Sequence, residues 1–325
     1  MRLRRSLKTA ALLAAVLLGA LAWWLWRDPY RVVLADYARQ RAVAGLTRNA
    51  AQVGDHRWVY AYNDEAPPGA PTVVMVHGFT GSKENWYPLA QRLRGRYRLF
   101  APDLPGWGES ERKAGADYGF LAQSERVARF IQQVAHQPGS ELVLLGHSMG
   151  GGIVALSAAR HPQDVDRVGL FDAAGVRFQD NAFGLAVLRG RNPFAVFDAA
   201  SLRRYLDIVF YDDAAKPYIP WPASRIYIDR RKRDAAFEQA VLDKIGRGEE
   251  RFLPGSQAAR IRQPVLLLWC RQDAVIDPSA LELYAAQLPQ AQRALLDGCG
   301  HMSIVERPAA AADAVNRLIA KGQAR

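Results

Sequence analysis

Short apolar blocks recur along the chain and predict buried strands separated by helices. Runs without a polar face are typical of strands covered on both sides; they lie at 72–77, 97–101, 141–146, 165–171, 264–270 and 292–297. A further strand is predicted at 57–63. Helical segments are predicted at 86–94, 120–136, 149–160, 278–287 and 308–321. Strands that alternate with helices indicate an α/β fold with a mostly parallel, doubly wound sheet.

The first 27 residues have a different pattern, in which basic residues precede a long uncharged stretch. Residues 1–8, MRLRRSLK, lead into an apolar run at 9–26 that ends in Trp23-Trp24-Leu25-Trp26. This run is close to the roughly 20 residues that a membrane-spanning helix needs. Tryptophans favour the membrane interface, and basic residues before a span favour a cytoplasmic N-terminus. We therefore expect a single-pass membrane protein whose main body lies on the periplasmic or extracytoplasmic side.

A cleaved signal peptide is the alternative interpretation of the same segment. Ala20-Leu21-Ala22 matches a small-residue cleavage site. We favour a retained anchor over residues 1–27 because apolar bulk continues past that site.

Composition narrows the partners that the chain could bind. Half of its 325 residues are hydrophobic, which excludes wholesale disorder, and the formal charge is +11. We find no zinc-finger spacing, aromatic RNA-binding signature or basic helix, so we expect no nucleic-acid partner. The basic balance instead fits an anionic membrane surface. A homodimer is compatible with the sequence, which does not fix the oligomeric state.

One long region interrupts the alternation of strands and helices. Residues 177–255 contain no buried strand and are rich in aromatic and charged residues, so we expect a helical lid there. Residues 28–54 are expected to form a juxtamembrane helical segment, and the core to comprise 55–176 and 256–325. The Arg230-Arg231-Lys232-Arg233 cluster in the lid is interpreted as a solvated helix face, with an anionic head-group site as the alternative.

A candidate nucleophile stands between a buried strand and a helix. The sequence Gly146-His147-Ser148-Met149-Gly150 follows an apolar run and precedes a small-residue helix. In this context Gly-x-Ser-x-Gly predicts a nucleophile elbow, a sharp turn that lifts the serine hydroxyl above the sheet. The glycines are required because side chains at their positions would collide. The alternative is a glycine-rich junction with an idle serine.

A serine hydroxyl needs a general base, which a third group must orient. Elbow-type triads run in the chain order Ser, Asp or Glu, His. Only His161 and His301 follow Ser148, and His161 closes the helix about one helix length away. His301 lies in a glycine-containing loop after the last predicted strand, so we assign it as the base.

Three carboxylates compete for the role of the acid that orients His301. Asp273 lies in the loop after the strand at 264–270, and we favour it. Asp277 precedes Pro278 and suits a helix cap. Asp172, at the end of an earlier strand, is the third option.

Two backbone N–H groups are expected to form an oxyanion hole. Met149 N–H lies at a helix N-terminus beside Ser148, where it can face developing negative charge. The loop His77-Gly78-Phe79 should supply the second donor, Phe79 N–H. We expect His77 to organise this loop through hydrogen bonds, and His147 to support Ser148.

Taken together, these residues resemble the α/β-hydrolase superfamily from about position 55 to 318. The ordered matches are Val76-His77-Gly78-Phe79, the run from Asp103 to Ser110, the elbow at Ser148, the Asp273 loop, and Gly300-His301 followed by Glu306-Arg307-Pro308. The N-terminal anchor, Phe171-Asp172-Ala173-Ala174-Gly175-Val176, Arg191-Asn192-Pro193-Phe194 and Cys299-Gly300-His301 are similar more narrowly to bacterial membrane-anchored lipases. That branch includes an inner-membrane phospholipase A and resembles the membrane-bound monoacylglycerol lipases of animals.

The resemblance implies a serine ester hydrolase that cleaves acyl esters of phospholipid, lysophospholipid or monoacylglycerol without a metal or organic cofactor. Three alternatives stay open: hydrolysis of a small soluble ester, a carbon–carbon hydrolase or haloperoxidase on the same fold, and a non-catalytic binding protein. Cys270 departs from the family pattern, because relatives carry glycine there. Cys270 and Cys299 lie at the same sheet edge, so they form either a disulfide between the Asp273 and His301 loops or two buried free thiols.

Overall fold

The computed structural model describes residues 2–63 and 65–320. Its described strands form one eight-stranded sheet in the order β1-β2-β4-β3-β5-β6-β7-β8. In chain order the strands are β1 (Thr47–Val53), β2 (His56–Asn63), β3 (Thr72–Val76), β4 (Arg98–Pro102), β5 (Leu142–His147), β6 (Arg167–Phe171), β7 (Val265–Cys270) and β8 (Gln292–Leu296).

The strand directions confirm the mostly parallel sheet that the hydrophobic pattern predicts. Strands β3 to β8 pair in parallel, whereas β2 pairs with β1 and with β4 in antiparallel fashion. The expectation of a helical segment over 28–54 is wrong for Thr47–Val53, which forms β1. All of β1 except Val53 is exposed or half-buried, so its sequence lacks the apolar run that reveals a buried strand.

Helices cover both faces of the sheet. Those described are α1 (Arg2–Arg27), α2 (Arg31–Val43), α3 (Tyr87–Leu93), α4 (Phe120–Phe130), α5 (Met149–Arg160), α6 (Ala182–Leu188), α7 (Ala199–Val209), α8 (Ala223–Gly246), α9 (Leu253–Gln257), α10 (Ser279–Gln287), α11 (Ser303–Glu306) and α12 (Pro308–Ala320).

The core consists of two apolar layers separated by the sheet. Successive residues of β3 alternate between them: Val74 and Val76 belong to the layer that contains α4 and α5. Val73 and Met75 belong to the layer that contains α3 and α12. Since neighbouring side chains of a strand point to opposite faces, a strand buried on both faces must be apolar throughout. This explains why runs of apolar residues predict the central strands.

The segment between β6 and β7 contains helices α6 to α9 and no strand over residues 177–255. We call this segment the insertion. Arg231 of α8 is buried in it, where its guanidinium pairs with Glu238 at 2.8 Å and donates to the Phe194 carbonyl. The interpretation of the arginine cluster as a solvated face is therefore wrong for Arg231, although Lys232 and Arg233 are exposed. Glu238, two helical turns further along α8, compensates for the burial of the Arg231 charge.

The N-terminal helix α1 leaves apolar side chains uncovered. Leu12, Leu13, Val16, Leu17 and Leu18 are each at least 59% exposed. Among the described residues no single helix meets the length and hydropathy expected of a membrane span. The pair Ala11–Arg27 and Arg31–Val43, bent by 105°, meets them together.

A disulfide joins Cys270, the last residue of β7, to Cys299, three residues after β8. Their Cα atoms are 5.4 Å apart, within the range that a disulfide accepts. Of the two interpretations that the sequence left open, the structure contains the disulfide. It ties together the two loops that carry Asp273 and His301.

We expect removal of this disulfide to lower the free energy of unfolding by about 3 to 4 kcal/mol, because closing a loop of this length restricts the unfolded chain. Urea unfolding of wild type and of the Cys270→Ala/Cys299→Ala variant, each with and without reductant, measures the effect. Reductant should destabilise wild type alone. Two free thiols in the unfolded, unreduced protein would contradict the disulfide.

Candidate active site

Ser148 occupies a strained turn between β5 and α5. Its φ of 57° lies in the left-handed region, which a non-glycine residue adopts only when its surroundings enforce it. A Cβ at Gly146 would lie 2.3 Å from the Gly150 carbonyl oxygen, and one at Gly150 would lie 2.3 Å from the oxygen of Val76. Glycine is thus required at both positions, and the predicted elbow is the geometry of the chain here.

The structure brings Ser148, His301 and Asp273 into one hydrogen-bonded line. His301 Nε2 lies 2.8 Å from Ser148 Oγ, and His301 Nδ1 lies 2.8 Å from Asp273 Oδ2. With the Nδ1 proton donated to the carboxylate, Nε2 is free to accept the serine proton. All three side chains are buried. This arrangement can activate a serine for attack on a carbonyl.

Backbone groups hold the Asp273 carboxylate in place from its other side. Its Oδ1 accepts hydrogen bonds from the N–H groups of Val275 at 2.8 Å and Ile276 at 3.0 Å. Burial raises the pKa of Asp273, and these two bonds oppose the rise because they favour the charged form. One carboxylate oxygen is thus fixed by the loop while the other orients His301.

The two alternative carboxylates have other partners. Asp277 Oδ1 accepts from Ser279 N at 2.9 Å, which is the predicted helix-capping role. Asp172 is fully buried and accepts hydrogen bonds from Cys270 N and Ser303 Oγ. Burial raises the pKa of Asp172, and the neighbouring Asp273 raises it further.

The loop after β3 approaches Ser148 closely and is organised by His77, as the sequence predicts. A Cβ at Gly78 would lie 2.9 Å from Ser148 Cβ. His77 Nδ1 contacts the Gly78 carbonyl at 2.8 Å, and Nε2 accepts from Leu104 N at 2.9 Å. Burial lowers the pKa of His77 to about 4, so the ring is neutral near pH 7. A neutral imidazole has one donor and one acceptor nitrogen, which these two contacts use.

Phe79 and Met149, the predicted oxyanion residues, both line the cavity that begins at Ser148. Met149 is the first residue of α5, and N–H groups in the first turn of a helix have no acceptor within the helix. The Phe79 ring lies 5.9 Å from the Phe194 ring of the insertion, in stacked orientation. The structure thus places both residues in the lining of the cavity that contains Ser148.

Sequence reasoning missed a buried cation beneath this loop. Lys83 is 1% exposed, and its Nζ contacts Asp103 at 2.8 Å, Glu109 at 2.7 Å and Glu84 at 2.9 Å. Burial opposes the charged form of Lys83, but the carboxylates together outweigh it and raise its pKa. Burial also opposes the charge of Glu109, but Arg48 and Lys83 outweigh it and lower the pKa of Glu109 to about 2. The run from Asp103 to Ser110 was the available signal, because a nearby cation can compensate for the burial of a carboxylate.

Glu306 is a second residue whose role the sequence did not reveal. Its carboxylate accepts from Gly300 N at 2.9 Å, beside His301, and from the N–H groups of Tyr211 and Asp212 at 2.9 and 2.8 Å. The Arg307 guanidinium donates to Asp212 Oδ2 at 2.9 Å. These contacts fasten the insertion to the His301 loop.

His147 fixes the same loop from below, as a supporting residue. His147 Nε2 lies 2.6 Å from the His301 carbonyl oxygen. Burial, with the nearby His301, lowers the pKa of His147 to about 3. Near pH 7 the ring is therefore neutral, and a neutral Nε2–H can donate to that carbonyl.

A cavity of about 150 Å³ extends from Ser148 into the insertion. Its lining is apolar or glycine except for Ser148, Arg177, Asp180 and Arg251. The three charged residues are exposed and therefore mark the solvent end of the cavity. The apolar side chains that line it are Phe79, Phe120, Met149, Ala174, Val176, Phe178, Phe183, Val187, Leu188, Phe194, Leu242, Ile245, Phe252, Val275 and Ile276.

The part of the chain that the structure describes contains no recognisable metal-binding site. Within residues 2–63 and 65–320, no group of three or more His, Cys, Asp or Glu side chains is arranged to hold an ion.

The model of the alpha/beta hydrolase fold family matches residues 71–308. Lipase 1 of Psychrobacter immobilis is 31% identical over 277 residues, covering 84% of this chain and 83% of its own. Monoacylglycerol lipase abhd6-A of Xenopus laevis is 24% identical, covering 91% and 88%. A crystal structure of a bacterial membrane phospholipase A, described as a virulence factor, matches with a TM-score of 0.84 and 32% identity, covering 98% of this chain and all of the other. The chain therefore belongs to the α/β-hydrolase family and is a serine ester hydrolase.

Proposed function

We propose that this enzyme cleaves the acyl esters of membrane lipids through an acyl-enzyme on Ser148. The observation that carries the proposal is the apolar cavity that begins at Ser148 and reaches the surface at Leu188. A cavity with this lining suits a hydrocarbon chain, because each methylene group removed from water contributes about 0.8 kcal/mol. The lipase and phospholipase relatives support the same substrate class.

In the proposed reaction, Ser148 Oγ attacks the ester carbonyl while its proton passes to His301 Nε2. The N–H groups of Phe79 and Met149 stabilise the negative oxygen of the tetrahedral intermediate. The intermediate collapses, and the proton on His301 passes to the departing alcohol. Water, deprotonated by His301, then attacks the acyl carbonyl; the second tetrahedral intermediate collapses, the fatty acid leaves, and the proton on His301 returns to Ser148 Oγ. Asp273 orients the ring and stabilises its charged form throughout.

The proposal extends to the location of the enzyme. We propose that α1 anchors the protein in a membrane with its N-terminus in the cytoplasm and its body on the periplasmic or extracytoplasmic side. The uncovered leucines of α1 support this, since an apolar helix face is stable in lipid and costly in water. The insertion would then act as a lid over Ser148.

We expect Ser148→Ala to lower kcat for p-nitrophenyl butyrate by at least about a thousandfold, because the nucleophile is removed. Ser157→Ala is the matched control. Ser157 is a buried serine of α5, the helix that follows Ser148, and its Oγ has no hydrogen-bond partner among the described residues. Full activity of Ser148→Ala would contradict the mechanism. Mass spectrometry of products from a membrane-lipid extract, with the same two variants, identifies the lipid.

We expect Leu188→Trp to lower kcat/KM for a palmitoyl ester about tenfold relative to a butyryl ester, because bulk at the outer end of the cavity excludes only long chains. Leu283→Trp is the control. Leu283 lies on α10 outside the cavity, and its exposure of 40% is close to the 44% of Leu188. Equal losses for both ester lengths would place the acyl chain elsewhere.

Deletion of residues 1–27 should release the protein from membranes during carbonate extraction while its turnover of short esters persists, since Ser148, Asp273 and His301 lie outside the deleted segment. The full-length chain is the control. A shortened protein that still sediments with membranes would contradict the anchor.

A further inference from the structure

Exposed aromatic side chains have an uneven distribution over the described residues. They occur at the end of α1, at Trp23, Trp24 and Trp26, and otherwise only in the insertion. Tyr218 is 88% exposed and Trp221 is 80% exposed. We call the exposed aromatic residues of the insertion the aromatic face; they are Phe197, Tyr211, Tyr218 and Trp221.

A continuous series of contacts connects Trp221 to the end of α1. Ala223 and Ile219, on either side of Trp221, pack in one cluster with Tyr30 and Val33. The Arg230 guanidinium lies 3.9 Å from the centre of the Tyr30 ring.

The helix α2, to which Tyr30 leads, is in turn fixed to α1. Arg31 Nη1 donates to the Trp24 carbonyl at 2.8 Å, and the same guanidinium lies 4.5 Å from the centre of the Trp24 ring. Trp221 of the aromatic face therefore lies near the junction of α1 and α2, where Trp24 also lies.

Tyr211 and Asp212, at the other end of the segment that leads to Trp221, lie against the loop that carries His301. The Glu306 carboxylate accepts from the backbone of Tyr211 and Asp212 and from Gly300 N. A Cβ at Gly300 would lie 2.8 Å from Tyr211 N. Residues 211–222 thus extend from a contact with Gly300, the neighbour of His301, to the cluster that contains Tyr30 and Val33.

We propose that the aromatic face is a membrane-docking surface, on which Tyr218 and Trp221 insert into the head-group region of a phospholipid bilayer. This inference rests on the proposed membrane anchor. Trp and Tyr favour that region because the ring is apolar while the N–H or O–H remains hydrated. The exposed Arg225, four residues after Trp221, adds attraction to anionic head groups. A bilayer is the occupant that α1 brings next to this surface.

Docking in this orientation would place the His301 loop beside the lipid surface. The segment 211–222 would contact lipid. Glu306 accepts hydrogen bonds both from the backbone of this segment and from Gly300, next to His301. A lipid ester could then approach Ser148 along the insertion.

The test uses the full-length protein in phosphatidylcholine–phosphatidylglycerol vesicles whose lipids are brominated either near the head group or deep in the acyl chains. Because Cys270 and Cys299 are joined, an introduced cysteine can be labelled selectively with an environment-sensitive fluorophore. The variants are Trp221→Cys, Leu17→Cys in α1 as the anchor reference, and Leu283→Cys as the surface control.

We expect head-group bromines to quench the probe at 221 at least about threefold more strongly than the probe at 283, and deep bromines to quench the probe at 17. Quenching at 17 with no difference between 221 and 283 would overturn the docking surface and leave the anchor standing. Absence of quenching at all three positions would overturn both. A second copy as occupant would give probe–probe energy transfer at 221 without bromine quenching, which also overturns the inference.

Activity provides an independent measurement. Trp221→Ala should lower kcat/KM for phospholipid in vesicles by about tenfold, since it weakens docking of the aromatic face on the bilayer while α1 keeps the protein attached, and should leave p-nitrophenyl butyrate turnover unchanged. Equal activity of variant and wild type on vesicles would contradict docking. If wild type binds vesicles but hydrolyses no lipid in them, the substrate proposal fails while the quenching result stands.

Discussion

The close approach of three backbone segments around Ser148 is the constraint on which the rest of the structure depends. Gly78, Gly146 and Gly150 stand where any Cβ would lie within 3 Å of a neighbouring atom. This packing brings the loop after β3, which contains Phe79, against Ser148 and the start of α5. A parallel sheet then places the loops after β7 and β8 at the same edge. The positions of Asp273 and His301 follow from that edge.

Loops at the edge of a sheet lack the backbone hydrogen bonds that join neighbouring strands, so other contacts must fix their positions. The His301 loop is fixed by hydrogen bonds to His147 and to Glu306 and by the disulfide from Cys299. Loss of either hydrogen-bonding side chain would leave a buried backbone group without its partner, at a cost of about 1 to 3 kcal/mol. Glu306 also accepts hydrogen bonds from the insertion, so one carboxylate connects the insertion to the loop of the general base.

The sequence is sufficient to predict a feature when the residues that determine it are close together in the chain. The elbow at Ser148 is a run of five residues in a strand–turn–helix context, and the central strands are wholly apolar, so both could be predicted. Strand β1 could not be, because it lies at the edge of the sheet and is mostly exposed. Lys83 escaped notice because lysine is normally solvated. The partners of Glu306 lie about 95 residues earlier in the chain, and no local pattern reveals such a contact.

Two features fit the proposed lipid substrate better than a small soluble ester. One is internal and extends from Ser148 between the helices of the insertion; the other is external and consists of the exposed rings of Tyr211, Tyr218 and Trp221. A small, hydrated substrate would bury little apolar surface in either place. Its binding would therefore not offset the free-energy cost of aromatic rings in contact with water. An acyl chain that leaves a bilayer meets the opposite condition, because every methylene exposed in transit raises its free energy. An external surface beside the His301 loop and an internal cavity beyond Ser148 would together shorten that exposure, which is the physical reason to consider them parts of one path.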